Sequence, residues 1–536
     1  MNWLKKIEKI VLIGMIVIGV VGRFVWLDKF PSGMSHDEIE YVMSAKSYWE
    51  KGSDLSGIRF PESIFRTKTE GIISFLPAML LAPIYGNIPL SQTTARLPYG
   101  LLNLLTGCGL FLWIREIFKN KKIAIWGLIL FLFSPWSFYF SRMASDTAWA
   151  LMFSVFGLWQ LQKQKRSNLV MAFILLLLAF FSYHGAKVVL PLAILWGAII
   201  YKNKNTWIMT IGFLAVALGY FGALKFLPDS IYGSRKSDIV FLDQELLANK
   251  VDTQRKLTVE NKFTQVFENK LIAGIEIFTK NYLTAFSPAV LLSEGDGRGT
   301  YSFKNHGLLY LIEVFLILVG LVWLFKTKNN YRWYLVGLIL ISPIATGLSL
   351  VETSVINRSF LLLPLFLILG AIGINQTRFR PFLLLILVVS FINFLFFYFY
   401  RWPKVNQESY FLSERVMANY LRRNKDINIV VINDEPREIK LEAEFYGSKN
   451  KFIEYINYCP KIFDRETVYL IERSLDCQIK DYLSIKEEEF WGPLILIVND
   501  KLCEKENLEP WVNRKVDDYA IEKMDNKNFC QRWIRK

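Results

Sequence analysis

Histidine and cysteine are the scarce residues of this chain, three and five respectively among 536. No two histidines are spaced as H-x-x-x-H and no two cysteines as C-x-x-C, so the sequence offers no ready zinc ligand set. No resident cofactor is expected; a metal ion held by His36, His184, His306 and Asp37 is the weaker reading. The lysine-led start (Lys5, Lys6, Lys9) is not followed by a small-x-small cleavage site, and its apolar run continues to Phe24-Val25-Trp26. A retained first membrane helix is therefore expected rather than a cleaved signal. The segment Glu294-Gly295-Asp296-Gly297-Arg298-Gly299 lacks the lysine and the strand–helix setting of a phosphate loop, which leaves a flexible hinge or lid. Nucleic-acid motifs are also missing. The formal charge of +15 is accordingly assigned to membrane topology and anionic lipid, not to a nucleic-acid partner.

What the chain has in abundance is apolar length. Hydrophobic residues make up 53% and aromatics 15%. Runs of roughly 17–25 apolar residues, each able to cross about 30 Å of hydrocarbon, recur through its first three quarters. They predict an α-helical polytopic membrane protein of about eleven spans, near 8–27, 94–118, 121–140, 145–162, 167–183, 186–201, 206–227, 306–325, 331–350, 357–376 and 380–400. With the N-terminus inside, the basic clusters at Lys5/Lys6/Lys9, Lys119/Lys121/Lys122, Lys163/Lys165/Arg166, Lys202/Lys204, Lys326/Lys328 and Arg378/Arg380 all fall in inside loops. The apolar segment Gly71–Tyr85 would invert every later loop if it spanned, and it carries Pro77 and Pro83; it is read as interfacial or re-entrant.

This layout gives a membrane domain at 1–400, with outer loops 28–93 and 228–305, and an extracytoplasmic soluble α/β domain at 401–536. The expected location is the plasma membrane. Within the last region Ile427–Ile432, Thr467–Ile471 and Leu494–Val498 read as buried strands and Glu414–Arg423 as a helix. Cys459, Cys477, Cys503 and Cys530 all lie there, so two disulfides are expected, sequential pairing being the simplest of three arrangements. The competing reading is four unpaired thiols in a cytoplasmic domain.

Ionisable residues gather at the expected outer ends of the spans. Asp37 and Glu38 follow the first span, where adjacent carboxylates have no evident packing role and point to chemistry. Arg142 and Asp146 flank a later turn, His184 and Lys187 another, and Glu352, Asn357 and Arg358 a third. Snorkelling to headgroups is the structural alternative for Arg142, Lys187 and Arg358. Glu313 is expected to pair inside the bundle. A carboxylate can serve as general base on a hydroxyl or amine, and cations can hold a phosphate as it leaves.

On these residues the chain resembles the membrane-integral C-type glycosyltransferases, in particular the branch of protein O-mannosyltransferases and lipid A aminoarabinose transferases. The resemblance covers about residues 1 to 403. It rests on Ser35-His36-Asp37-Glu38 with Tyr41, Ala95-Arg96-Leu97-Pro98, Ser134-Pro135 with Ser141-Arg142 and Asp146, Asn357-Arg358 with Pro364, and the aromatic exit Phe397–Pro403. Two positions depart from the family pattern: Lys68-Thr69-Glu70 lacks the usual prolines, and Ser359 stands where a tyrosine is common. The resemblance implies transfer of a sugar, with inversion, from a polyprenyl-phosphate donor to a protein, lipid or glycan acceptor. It implies Asp37 as base and Glu38 orienting the acceptor or Asp37. Arg358, Arg142, Lys187, His184, Arg96 and Asn357 are the implied substrate-binding set. The sequence has no D-x-D triplet, in keeping with a lipid-phosphate donor rather than a metal-bound nucleotide sugar. The alternatives are a transporter or flippase of lipid-linked saccharides, and an inactive acceptor-binding protein on the same fold. The former predicts midplane charges and an internal repeat, neither of which the sequence shows.

Overall fold

The computed structural model describes residues 2–498, apart from positions 32, 66–73, 228–237, 260, 297–299, 301, 328–330, 351–353, 406–413, 415–416, 419–420, 423–427, 434–435, 449–452, 461–466, 473–482 and 487–492. Lys68, Glu352, Cys477, Cys503 and Cys530 lie outside the described residues, as does much of Glu414–Arg423. Two compact units divide the chain. One holds residues 1–25, 44–86 and 96–398, the other 26–43, 87–95 and the described residues from 399 onward.

The chain is mostly helical. Its first ten longer helices are α1 (Asn2–Val21), α2 (His36–Lys51), α3 (Phe75–Tyr85), α4 (Gln92–Phe118), α5 (Lys121–Phe133), α6 (Pro135–Arg142), α7 (Asp146–Gln162), α8 (Arg166–Ser182), α9 (His184–Tyr201) and α10 (Lys204–Phe226). Among the described residues four helices are long and apolar enough to cross a membrane: α4, α9, α10 and Arg380–Arg401. The bent pair α5–α6 makes a fifth. Other apolar stretches form shorter helices, such as Leu362–Gln376. Helix α3 has 11 residues, about 16 Å of rise and so roughly half a hydrocarbon core.

The stretch 121–140, expected as one span, is two helices bent by 62°. Pro135 stands at the first turn of α6, where its missing N–H costs nothing, but it cannot continue α5. A helix that stops inside apolar surroundings must find partners for its last four carbonyls. All four are accounted for. Leu130 O accepts from Ser134 N at 2.8 Å. Arg23, wholly buried, donates to Leu132 O at 2.8 Å and Phe131 O at 3.1 Å. Tyr310 Oη donates to Phe133 O at 2.9 Å. Arg23 also reaches Gly19 O at 2.6 Å, Asn103 Oδ1 at 2.7 Å and Ser137 Oγ at 2.9 Å, tying α1, α4, α5 and α6 together.

Close helix approach elsewhere depends on glycine. A β-carbon at Gly320 would overlap the Leu369 carbonyl, and one at Gly373 the Leu316 carbonyl. The two helices Leu311–Lys326 and Leu362–Gln376 thus lie backbone to backbone, as small residues allow in lipid.

The second unit carries a five-stranded sheet of order β2-β1-β3-β5-β4. Its strands are β1 (Ile429–Ile432), β2 (Ile453–Ile456), β3 (Val468–Glu472), β4 (Leu483–Lys486) and β5 (Pro493–Val498). β1 pairs in parallel with β2 and β3, while β5 is antiparallel to β3 and β4. Parallel pairing needs a crossover, and the helix Pro436–Phe445 supplies it between β1 and β2. Strands β1, β3 and β5 coincide with the three apolar runs noted in the sequence. β2, Ile-Glu-Tyr-Ile, and β4, Leu-Ser-Ile-Lys, were too short and polar to stand out. Cys459 is disulfide-bonded, and Cys108 is a free thiol.

Replacing Arg23 by Met strands three buried carbonyls, those of Gly19, Phe131 and Leu132, and should cost about 3 kcal/mol or more. The expected outcome is a clear drop in the thermal midpoint of the detergent-solubilised chain. Arg23→Lys, which cannot fork between two carbonyls, should fall between wild type and Met.

Candidate active site

The sequence Ser35-His36-Asp37-Glu38 is a helix start. Ser35 Oγ accepts from Glu38 N at 3.2 Å, and Glu38 Oε2 accepts from Ser35 N at 3.0 Å, a reciprocal capping box. The expectation that neither acid has a packing role is thereby corrected for Glu38: it is 1% exposed and closes the first turn of α2. Asp37 is partly exposed in the same turn, where the helix dipole favours negative charge. Glu313 does for its helix what Glu38 does for α2, its Oε2 accepting from Tyr310 N at 2.9 Å.

One turn beyond Asp37 lies a polar cluster that the sequence reading missed. The buried Glu40 carboxylate meets Arg437 Nη2 at 2.6 Å, and Arg437 Nη1 reaches Glu438 Oε1 at 3.1 Å. His36 Nδ1 lies 3.9 Å from Glu438 Oε2. Burial, followed by the Arg437 charge, lowers the His36 pKa to about 4; at neutral pH this 3.9 Å approach is therefore not an ion pair. Burial raises Glu40 to about 7, against the pull of its Arg437 hydrogen bond. The i, i+3 spacing of Asp37 and Glu40 was visible in the sequence; the arrival of Arg437 from 397 positions away was not.

The cationic candidates belong to the other unit, and they separate into two kinds. Arg142, expected to hold phosphate, is wholly buried at the end of α6. Its Nε donates to Tyr398 Oη at 3.0 Å, and Nη1 to Gly22 O at 3.1 Å and Val25 O at 2.8 Å. Its guanidinium also lies over the Phe138 and Tyr398 rings. A side chain so engaged ties down the end of α1. Arg96 is equally buried, on α4. Asp146, at the start of α7, accepts from Ser74 Oγ at 3.0 Å and so ties the α3 start to α7.

Lys187 and His184 occupy the first turn of α9. Lys187 Nζ is 3.3 Å from His184 Nδ1 and 5.1 Å from the centroid of the Tyr220 ring. An ammonium can only donate, so Nδ1 is the acceptor and the neutral ring carries its proton on Nε2. Tyr183, which precedes α9, makes an edge contact with Phe360, ring centroids 5.9 Å apart. This brings the Lys187 turn beside the short helix Val355–Arg358, which also packs on α9. That helix is anchored at two points: Ile356 N donates to Asp296 Oδ2 at 3.2 Å, and Trp136 Nε1 donates to Ile356 O at 3.1 Å. Asp296, in the segment Glu294–Gly299 read as a hinge or lid, braces this helix; positions 297–299 lie outside the described residues. Arg358 is partly exposed, while the Oδ1 atom of the buried Asn357 has no hydrogen-bond partner among the described residues. His306 Nδ1 donates to Gly307 O at 2.8 Å, which makes Nδ1 the protonated nitrogen.

No family model matches the chain, and no curated protein does either. Solved structures are similar. The archaeal oligosaccharyltransferase AglB from Archaeoglobus fulgidus, in complex with an inhibitory peptide and a dolichol-phosphate, is 12% identical with a TM-score of 0.47. The match covers 84% of this chain and 65% of that one, so the chain spans about two thirds of the oligosaccharyltransferase's length. ArnT from Cupriavidus metallidurans bound to undecaprenyl phosphate is 10% identical with a TM-score of 0.43, over 90% of this chain and 97% of that one.

Two outcomes follow. Glu38→Gln keeps the capping box and should keep stability and activity, whereas Glu38→Ala should cost about 1 kcal/mol in helix stability. Circular dichroism with an activity assay checks both. Glu40 and His36 give opposite pH slopes. Glu40 is raised when folded, so its contribution is full below pH 4.5 and lost as pH rises through about 7. His36 is lowered, so its contribution is full above pH 6.5 and lost as pH falls through about 4. Glu40→Gln removes the first slope. Its thermal midpoint should climb between pH 4.5 and 6.5, while the wild type stays nearly level.

Proposed function

We propose that the chain is a membrane glycosyltransferase that moves a hexosyl or pentosyl group, with inversion, from a polyprenyl-phosphate donor to an acceptor at the outer membrane face. The reading includes about eleven spans and an extracytoplasmic C-terminal α/β domain. The disulfide at Cys459 favours the oxidising side for that domain. One observation carries the reading: in the Asp37-Glu38 pair, Glu38 is committed to closing the helix, while Asp37 sits partly exposed in a rigid first turn.

In this mechanism the Asp37 carboxylate takes the proton of an acceptor hydroxyl or amine. The acceptor forms its bond to the anomeric carbon as the carbon–oxygen bond to phosphate breaks, and polyprenyl phosphate leaves with the electron pair. Arg358 and Lys187, near Asn357 and His184, hold the phosphate and offset the charge it gains. Glu38 acts on Asp37 through the helix start.

Membranes of a strain lacking the gene hold the native donor and acceptor together and serve as the substrate. Added Asp37→Asn protein should transfer no sugar detectable by mass spectrometry of the glycans, with its fold intact. Wild-type transfer by that variant removes Asp37 as base. Arg358→Ala should raise the half-saturating donor on the order of tenfold, the cost of one charge-assisted contact. Arg142→Ala should lower the thermal midpoint instead.

A further inference from the structure

The start of α2 is held at a second point, one turn past its capping box, and that point comes from the C-terminal region. Arg437 bridges Glu40 of α2 and its own neighbour Glu438, with contacts of 2.6 Å and 3.1 Å. Glu40 is three residues beyond Asp37 and 4% exposed, so the bridge fixes the helix face on which Asp37 stands. The bond is charge-assisted, with its Glu40 end buried and the Arg437 side chain 38% exposed.

The sheet explains why Arg437 is available there. It is the second residue of the helix Pro436–Phe445, which begins just past the carboxyl end of β1. In the order β2-β1-β3 the chain leaves β1 toward one side and returns on the other, so strand order reverses at β1. The carboxyl end of such a strand is where open α/β sheets place their functional groups. The far end of the same helix is tied as well, Tyr446 Oη accepting from Gln92 Nε2 at 3.0 Å. The helix is thus anchored at both ends within this unit.

We propose that Arg437 is a positioning residue for Asp37: through Glu40 it sets the placement and charge surroundings of the candidate base, so the C-terminal region is part of the active site. This rests on the reading of Asp37 given above. The charged and titratable groups around Glu40 and Asp37 are His36 and Glu38 on α2, and Arg437 and Glu438 on the facing helix. Arg437 offsets the two flanking carboxylates, and without it Glu40 is a buried acid lacking its counter-charge.

The test uses full-length protein in detergent, with membranes of the gene-deleted strain as substrate, and measures kcat and half-saturating donor separately. Arg437→Ala should lower kcat tenfold or more with half-saturation within twofold of wild type, and Arg437→Lys should recover most of the loss. Glu40→Gln removes the buried charge rather than stranding it, so it keeps the fold and should lower kcat to a similar degree. The double variant should be no worse than the worse single one, because both act through one contact. Multiplying losses, a kcat within twofold of wild type in Arg437→Ala, or a loss that Lys does not recover each overturn the proposal. Asp37→Asn separates the two readings. If it transfers sugar normally, the base assignment fails; if it is inactive while Arg437→Ala is normal, only the positioning role fails.

Discussion

A guanidinium buried where a helix breaks is the constraint on which much of the helical unit depends. Ending α5 at Phe133 leaves four carbonyls in an apolar setting, each costly if unpaired. Arg23 satisfies two of them, and Ser134 N and Tyr310 Oη the others. Because Arg23 comes from just past α1 and Tyr310 from the residue before Leu311, the break can be fully satisfied only when distant parts of the chain have assembled. A proline at position 135 therefore dictates tertiary contacts, not merely a local bend.

The same break organises the cationic region. Immediately after Pro135, Trp136 donates from its backbone to Leu308 O at 3.3 Å and from its indole to Ile356 O at 3.1 Å. The second bond fixes the short helix that carries Asn357 and Arg358. Asp296 fixes its first turn from the opposite side of the sequence. At the other end of α6, Arg142 is held by the carbonyls of Gly22 and Val25. Two arginines with the same sequence signature, a polar residue at an outer turn, thus do different work. Burial separates them: Arg142 is closed in by backbone carbonyls and rings, while Arg358 keeps an exposed face.

Much of this was legible in the sequence, and the misses have physical causes. Apolar length located the helices, and apolar β-branched runs located three of five strands, since both signals are local. Interruptions were harder to read. Ser134-Pro135 stands within an unbroken apolar run, so the 62° bend was hidden until its carbonyl partners were seen. The pattern Ser-x-x-Glu at 35–38 is a capping box in plain sight, but the acid pair drew a chemical reading of both members. Arg437 and Glu40 lie 397 positions apart, and no local pattern announces such a pairing.

In the proposed mechanism the acid pair divides its labour rather than acting as two equivalent catalysts. A carboxylate that accepts a backbone N–H at a helix start has that oxygen committed to the cap. Glu38 meets that description. Its neighbour on the same turn takes its geometry from the cap without being consumed by it. A general base needs a fixed position more than an isolated one, since misplacement by about 1 Å costs on the order of a hundredfold in rate. Glu38 from one side and the Glu40–Arg437 contact from the other supply that fixity. On this view the residues around Asp37 matter less for their own chemistry than for how little they let it move.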